Sequence, residues 1–319
     1  MGDRLKGKVA IVTGSGRGIG RGHALLLAAE GAKVVVNDPG VARDGSGTAK
    51  GPADEVVAEI KKKGGTAVAN YDSVATPEGA ANIIKTAIDK FGRLDILINN
   101  AGVLRERMIF NMTDEEWDVV IKTHLYGHFY CAREAARVFR QQRSGIIINT
   151  SSTAGLGTIG QCNYGAAKEG IIGLTRGLAN ELARYGVRVN CIRPGGATRM
   201  TTSPEMEEAA KKRAERVAAG TGTARPERVV DPGSQDPENN APFVVWLCSD
   251  AAAHVSGYDF ATSGYDVGLY SQPAVIKSIH KDGRWTLDEL DKLAPTTVVA
   301  DLFKRYRAGE AAPAAAPPK

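Results

Sequence analysis

Cysteine, histidine and long apolar runs are all scarce in this sequence, and each shortage excludes a class of protein. The four cysteines are widely spaced with no C-x-x-C pair, which argues against a zinc site and against a disulfide framework and fits a reducing cytoplasm. The five histidines show no ligand spacing such as H-E-x-x-H, so we predict no metal. No run approaches the roughly 18–20 apolar residues of a membrane span, and no signal peptide is apparent. We therefore expect a cytoplasmic protein without a membrane partner.

The charge balance gives no sign of a nucleic-acid partner. The chain has 319 residues, of which 43% are hydrophobic and 24% charged, and its formal net charge is +5. Lysines and arginines are interleaved with acids, so the basic patch that nucleic-acid binding requires is missing. This balance is typical of a globular protein with a large core.

Apolar runs alternate with amphipathic stretches along most of the chain. Continuous Val/Ile-rich strands separated by helices predict an α/β fold with a doubly wound, Rossmann-like parallel sheet. Ligands of such sheets bind beyond the carboxyl ends of the strands. The predicted strands are KVAIVT (8–13), AKVVVND (32–38), TAVANYD (66–72), LDILINN (94–100), GIIINTSS (145–152) and GVRVNCIRPG (186–195).

The glycine-rich stretch TGSGRGIG (13–20) lies between the first predicted strand and a helix. Glycines there allow a sharp turn and close approach to a pyrophosphate, which the free N–H groups of a helix start favour. Asp38, at the end of the second strand, can accept hydrogen bonds from ribose hydroxyls and would repel a 2′-phosphate. An ordinary tight turn is the alternative interpretation of both features.

The stretch QCNYGAAKEG (161–170) places Tyr164 four residues before Lys168, so the two share one face of a helix. A solvated surface pair is the alternative. A cationic neighbour would favour the phenolate of a tyrosine, whose ordinary pKa is near 10. Such a tyrosine could act as a general base or acid.

Together these motifs resemble the short-chain dehydrogenase/reductase family over about residues 5–270. The other marks are NNAG (99–102), a serine after the fifth strand and a Pro-Gly pair after the sixth. The resemblance implies one Rossmann-like domain, a nicotinamide cofactor, interconversion of a secondary alcohol and a ketone, and a homodimer or homotetramer.

The resemblance also implies the roles of individual residues. Tyr164 transfers the proton, Lys168 supports it and holds the nicotinamide ribose, and a serine orients the substrate. The family's S-S-x-x-G pattern selects Ser152 as that serine, whereas the more usual spacing selects Ser151, and we prefer Ser152. The implied cofactor-binding residues are Gly14, Arg17, Gly18, Ile19, Gly20, Asp38, Asp72, Ser73, Asn100, Ala101, Gly102, Tyr164, Lys168, Pro194, Gly195 and Thr198.

One departure from the usual family pattern narrows the resemblance. THLYGHF (123–129) places His124 where many members have an asparagine, so we expect a fourth catalytic residue there, with a satisfied core histidine as the alternative. Longer strings, among them NNAGVLRERM (99–108) and RPGGATRMT (193–201), resemble the D-specific 3-hydroxyacyl-CoA dehydrogenase domain of the peroxisomal multifunctional enzymes type 2. The chain lacks their other domains and ends in PPK, so we expect a stand-alone relative.

The expected activity is therefore NAD-dependent oxidation of a (3R)-3-hydroxyacyl-CoA. The alternatives are a 17β-hydroxysteroid dehydrogenase, a 3-oxoacyl reductase and, in another class, a non-catalytic NAD-sensing module. Asp38 favours NAD over NADP, although Arg17 could assist a phosphate. Basic residues after the sixth strand add a hint of CoA, although a solvated helix face would look the same. They are Lys211, Lys212, Arg213, Arg216, Arg225 and Arg228.

Three segments follow from this interpretation. We predict a dehydrogenase domain at 1–270, a helical extension at 271–307 and a disordered Ala/Pro tail at 308–319. Within the first, residues 219–241 are polar and rich in Gly and Pro, as expected of a long loop.

Overall fold

A computed structural model of the chain describes residues 2–197 and 231–300, together with Lys211, Glu215 and Leu302. The chain divides into two compact units, Met1–Tyr270 and Ser271–Lys319. Among the described helices, none has the length and apolar character needed to cross a bilayer. The predicted tail, most of the polar loop and five of the six basic residues after the sixth strand lie outside the described residues, while Lys211 is exposed.

The first unit alternates strands and helices in the order that the sequence predicts. Its strands are β1 Val9–Thr13, β2 Lys33–Asn37, β3 Thr66–Asn70, β4 Ile96–Asn99, β5 Gly145–Thr150, β6 Val187–Pro194, β7 Asp259–Ser263 and β8 Asp266–Leu269. Its described helices are α1 Gly18–Ala29, α2 Gly51–Lys62, α3 Pro77–Phe91, α4 Asp114–Ile121, α5 Gly127–Gln142, α6 Cys162–Leu182 and α7 Ala241–Leu247. The second unit contains α8 Leu287–Leu293.

The described strands form one eight-stranded sheet in the order β3-β2-β1-β4-β5-β6-β7-β8. Neighbours from β3 to β7 are parallel, and only β7 and β8 are antiparallel. The order reverses between β1 and β4, so the loops after these two strands diverge and leave a crevice. The predicted doubly wound Rossmann-like fold is confirmed.

Both faces of the sheet are covered by helices. Alternate residues of β1 point to opposite faces. Ala10 and Val12 pack in one buried cluster with residues of α1, α2 and α7. Val9 and Ile11 pack in a second cluster with residues of α3, α5 and α6. The sheet is therefore the rigid middle layer that holds the loops at its carboxyl edge.

The helix after β4 contains a feature that the sequence does not predict. Thr113 starts α4 with a capping box, in which its side chain and that of Glu116 each bond the other's backbone N–H. The helix then continues without a break through a π-helical turn, Lys122–Tyr126, into α5. Such turns carry an extra residue and are frequent at functional sites, and this one contains His124.

Candidate active site

A cavity of about 520 Å³ opens at the carboxyl edge of the sheet, where β1 and β4 diverge. Its volume is in the range of small-molecule and cofactor sites. Ten predicted cofactor-binding residues line it: Gly14, Arg17, Gly18, Ile19, Gly20, Asp38, Ser73, Asn100, Ala101 and Gly102. The structure adds Val41, Gly45, Val74, Val103, Thr123, Ala197 and Pro237 among other lining residues.

The glycines at the start of α1 leave room and free amides for a phosphate group. Gly14 has φ 62°, and a Cβ there would lie 2.7 Å from Cα of Ala101. At Gly20 a Cβ would lie 2.4 Å from the carbonyl oxygen of Gly14. No side chain caps the first turn of α1, so its amides remain available to a negatively charged ligand. These residues fit the pyrophosphate of a dinucleotide.

Asp38 follows β2 and is buried with its carboxylate at the cavity wall. Oδ2 accepts a hydrogen bond from the N–H of Gly16 at 2.8 Å, and Oδ1 accepts one from Gly40 at 2.7 Å. A carboxylate has about four acceptor positions, so two remain for ribose hydroxyls. The arrangement fits the adenosine end of the dinucleotide.

Five of the predicted cofactor-binding residues are described in the structure but do not line the cavity: Asp72, Tyr164, Lys168, Pro194 and Gly195. The carboxylate of Asp72 accepts hydrogen bonds from Asn70 and Asn82, which hold it away from the opening. Pro194 ends β6, and the N–H of Gly195 donates to Thr262 of β7. In the segment that follows β6, the residue that lines the cavity is Ala197. Thr198 lies outside the described residues.

Ser152 and Tyr164 meet beside this cavity. The Ser152 side chain lies close enough to the Tyr164 phenol to lower the pKa of that phenol. The hydroxyl of Ser151 is buried and donates to the carbonyl oxygen of Lys168 at 2.7 Å. Neighbouring residues at a strand end point to opposite sides, which explains why only one of the two serines reaches the tyrosine.

Lys168 lies one helical turn after Tyr164 and is almost completely buried. Its Nζ is 5.3 Å from the centre of the Tyr164 ring and donates to the carbonyl oxygen of Thr150 at 2.7 Å. Burial lowers the pKa of this ammonium from 10.5 to about 7. At neutral pH the side chain therefore exchanges readily between its charged and neutral forms.

The pKa of Tyr164 lies above its ordinary value in the structure. We expect Lys168 and a bound nicotinamide together to favour the phenolate; in the chain alone, burial raises the pKa to about 12, and the Ser152 side chain opposes that rise. The reason is that loss of water outweighs the attraction of a lysine that is itself only partly charged. Without a bound ligand the phenol is protonated and ready to donate.

His124 is buried against Tyr164, with the two rings edge to face and their centres 5.0 Å apart. Its Nε2 lies 2.7 Å from the carbonyl oxygen and 3.1 Å from the nitrogen of Val103. Nδ1 is buried and has no hydrogen-bond partner among the described residues. Burial lowers the pKa of the ring well below 6.5, so the imidazole is neutral.

Gly102 is required by the position of that ring. A Cβ at this residue would lie 2.3 Å from Cε1 of His124. The last glycine of NNAG and the histidine of the π-helical turn therefore fit together, and any side chain at residue 102 would displace the imidazole.

Two supporting features could not be found by sequence reasoning alone. Arg193, buried on β6, donates to the carbonyl oxygen of Ser152 at 3.0 Å and to Asp259 of β7 at 2.6 Å. The segment after β2 reaches across the cavity, where the N–H of Leu104 donates to the carbonyl oxygen of Arg43 at 2.9 Å. Both contacts join residues far apart in the sequence.

The fold, the glycine-rich crevice and the Ser-Tyr-Lys group define a dehydrogenase of one family. The sequence profile of the short chain dehydrogenases matches residues 8–210. The chain belongs to the short-chain dehydrogenase/reductase family.

Similar proteins within the family include enzymes that act on acyl thioesters. The hydroxyacyl-CoA dehydrogenase ChsB1 of Mycobacterium tuberculosis is 42% identical over 314 residues, covering 94% of this chain and 89% of that protein. The peroxisomal multifunctional enzyme type 2 of Mus musculus is 42% identical over 255 residues, 80% of this chain but only 31% of that protein. A 3-oxoacyl-[acyl-carrier-protein] reductase of Synechocystis is 42% identical over 263 residues, 82% of this chain and 97% of that protein.

Solved structures share the fold. A short chain dehydrogenase from Mycobacterium avium superposes with a TM-score of 0.76 at 42% identity, covering 92% of this chain and 95% of that one. A 7α-hydroxysteroid dehydrogenase, solved with NADH and a 7-oxo bile acid, superposes with a TM-score of 0.67 at 28% identity, covering 82% of this chain and 95% of that one.

Proposed function

We propose that the protein is an NAD-dependent dehydrogenase that oxidises a (3R)-3-hydroxyacyl-CoA to the 3-oxoacyl-CoA. The observation that carries the proposal is the group of Ser152, Tyr164 and Lys168, with the Lys168 ammonium 5.3 Å from the centre of the tyrosine ring, at the carboxyl edge of the sheet beside the glycine-rich cavity. A module that only senses NAD would use the crevice but would have no need of this group.

Asp38 supports NAD as the cofactor. Its carboxylate lines the cavity and would face the phosphate that distinguishes NADP from NAD. The carboxylate and that phosphate are both negatively charged, so their repulsion would oppose binding of NADP. Arg17 also lines the cavity, is exposed and forms no ion pair with a described residue. It could attract a phosphate, but Asp38 is the residue placed for the ribose.

The chain's own groups can manage the proton of the reaction. A nicotinamide held in the cavity would supply the acceptor for the hydride of C3. The phenolate form of Tyr164, which a charged Lys168 and a bound nicotinamide would favour, takes the proton of the C3 hydroxyl as the C3–O bond becomes a carbonyl, and the phenol returns it in the reverse direction. Ser152 donates a hydrogen bond to the reacting oxygen. Lys168, with a pKa of about 7, stabilises the phenolate when it is charged.

The geometry of His124 supports a positioning role more strongly than a proton relay. The ring packs edge to face with the Tyr164 ring and contacts the backbone of Val103, and none of its described contacts reaches Lys168 by a hydrogen bond. It therefore acts by fixing the tyrosine ring and the chain after NNAG.

Apolar side chains beside the site support a substrate with an acyl chain. The loops after β4 and β5 meet where the N–H of Arg107 donates to the carbonyl oxygen of Gly160 at 2.8 Å. Exposed apolar residues cluster on these loops, and such patches often mark ligand-binding grooves. They are Met108, Ile109, Phe110, Leu156 and Ile159. Similarity to ChsB1 over 94% of the chain adds support for a CoA thioester.

The test is reduction of NAD or NADP by a set of secondary alcohols. We expect the highest kcat/KM for a (3R)-3-hydroxyacyl-CoA with NAD, little activity with the (3S) isomer and less with a 17β-hydroxysteroid. A steroid that outperforms the thioester would replace the substrate assignment. A preference for 3-oxoacyl reduction with NADPH would favour the reductase alternative.

A further inference from the structure

A second buried histidine lies one turn after His124 and is not used in the chemistry described above. His128 is 2% exposed, although histidine is usually only partly buried. Its Nε2 accepts a hydrogen bond from the N–H of Thr150 at 3.3 Å. The backbone groups of His124 and Asn99 lie close enough to this side chain to oppose the fall in its pKa. The ring thus connects the π-helical turn to the end of β5.

His128 accepts the hydrogen bond of the Thr150 N–H in place of a carbonyl oxygen from the neighbouring strand β4. β4 ends at Asn99, opposite Asn149, whereas β5 continues to Thr150. The N–H of Ser151 donates to Ile192 of β6 at 2.8 Å. Successive residues of a strand direct their backbone groups to opposite sides. The backbone groups of Thr150 therefore point away from β6 and toward the position of β4, which has already ended at Asn99.

Two side chains bond the backbone groups of Thr150 that β4 leaves without a partner. His128 accepts from the N–H of Thr150, and Lys168 donates from Nζ to the carbonyl oxygen of the same residue at 2.7 Å. Thr150 is therefore held on both of its backbone groups. Its carbonyl oxygen, which anchors the Lys168 ammonium, lies in the peptide plane that the Ser151 N–H holds against Ile192, and His128 holds the preceding peptide plane through the Thr150 N–H.

We propose that His128 is a positioning residue for Lys168, acting through the backbone of Thr150. The inference rests on the proposed function, because it assumes that Lys168 supports Tyr164 and the cofactor ribose. It requires a neutral imidazole with its proton on Nδ1, since a protonated Nε2 could not accept the Thr150 N–H. Burial and the nearby Lys168 lower the pKa of this ring to about 3, which is consistent with the neutral form.

Two substitutions separate this role from simple packing. In His128→Gln the amide oxygen can lie near the position of Nε2 and accept the same N–H, whereas in His128→Asn it lies near Nδ1 and is too short to reach. We expect His128→Gln to keep most of the wild-type kcat. We expect His128→Asn to lower kcat by about 10- to 100-fold, the scale of a small misplacement of a catalytic group, and to weaken NADH binding measured by fluorescence titration, with the KM for the alcohol little changed.

A structural role alone would give another result. Both variants would then lower the melting temperature while the kcat of the folded enzyme stayed at the wild-type value, and that outcome overturns the proposal. Equal loss of kcat in both folded variants overturns it too, because the acceptor would not be the important feature.

A measurement on the wild-type protein covers the case in which the variants do not fold. Nitrogen NMR of ¹⁵N-histidine-labelled protein at neutral pH should show His128 with a proton on Nδ1 and a bare Nε2. An Nε2–H tautomer or a charged ring would overturn the proposal. Neither this spectrum nor the NADH titration needs turnover, so failure of the proposed function, seen as no oxidation of any alcohol by the wild type, is distinguishable from failure of this inference.

Discussion

Burial of Lys168 should make the stability of the protein depend on pH in a direction that can be calculated. The folded-state pKa is about 7, compared with an ordinary value of 10.5. Between these two pH values the unfolded chain binds the proton and the folded chain does not, so the free energy of unfolding rises with pH across this interval. The destabilisation is fully present below about pH 7 and is absent above about pH 10.5.

The magnitude follows from the same shift. One pKa unit corresponds to about 1.4 kcal/mol, so the charged ammonium costs the folded state about 5 kcal/mol at low pH. Raising the pH from 7 to 9 should remove about 2 kcal/mol of this penalty. Lys168→Met has no ammonium and lacks this pH dependence.

The assay is urea unfolding of both proteins at pH 7 and pH 9, at one protein concentration because subunit association contributes to stability. The stability of the wild type relative to Lys168→Met should increase by about 2 kcal/mol at the higher pH. Lys85→Met is the matched control, since Lys85 is exposed and pairs with Asp89 on the surface of α3. The stability of the wild type relative to Lys85→Met should be the same at pH 7 and pH 9. A difference between wild type and Lys168→Met that is the same at both pH values would refute the assigned burial of the charge.

Three further predictions concern the site itself. Tyr164→Phe should lower turnover by about 100- to 10,000-fold while NADH binding and the melting temperature stay nearly unchanged, and retained activity would refute its role as acid and base. His124→Ala should lower kcat by on the order of 10-fold, with His124→Asn milder in the same assay; a silent alanine variant would leave a core histidine. Asp38→Asn removes the charge at the ribose and should raise the ratio of kcat/KM for NADP to that for NAD by more than about 10-fold, and an unchanged ratio would contradict the cofactor assignment.

Local patterns were enough to predict most of the fold. The six predicted strands are all present, because continuous Val/Ile runs between amphipathic stretches have few other stable arrangements than a covered parallel sheet. The last two strands were not predicted. β8 is exposed at every residue, and β7 is only partly buried, so neither has a strong apolar pattern.

The candidate site was predictable to the extent that it depends on short spacings. Tyr164 and Lys168 share a helical face, and Gly14 and Gly20 have no room for a side chain. The contacts of Arg193 and His128 were not predictable, since they join elements far apart in the sequence.

The pKa of Tyr164 was also beyond the reach of the sequence, because it depends on how much water the folded chain excludes. The pairing with Lys168 suggested a lower value, and only the burial seen in the structure shows that it rises. The π-helical turn at Lys122–Tyr126 likewise has no sequence signal that we can identify.

The most direct test of the central claim compares one acyl group on two carriers. The kcat/KM for NAD reduction would be measured with a (3R)-3-hydroxyacyl-CoA and with the same acyl group on a short thioester that lacks the nucleotide. If the enzyme recognises CoA, binding energy from the distant nucleotide stabilises the transition state. The kcat/KM for the CoA thioester should then be well above the kcat/KM for the truncated thioester. Equal values for the two thioesters, or a hydroxysteroid that exceeds both, would contradict the acyl-CoA assignment.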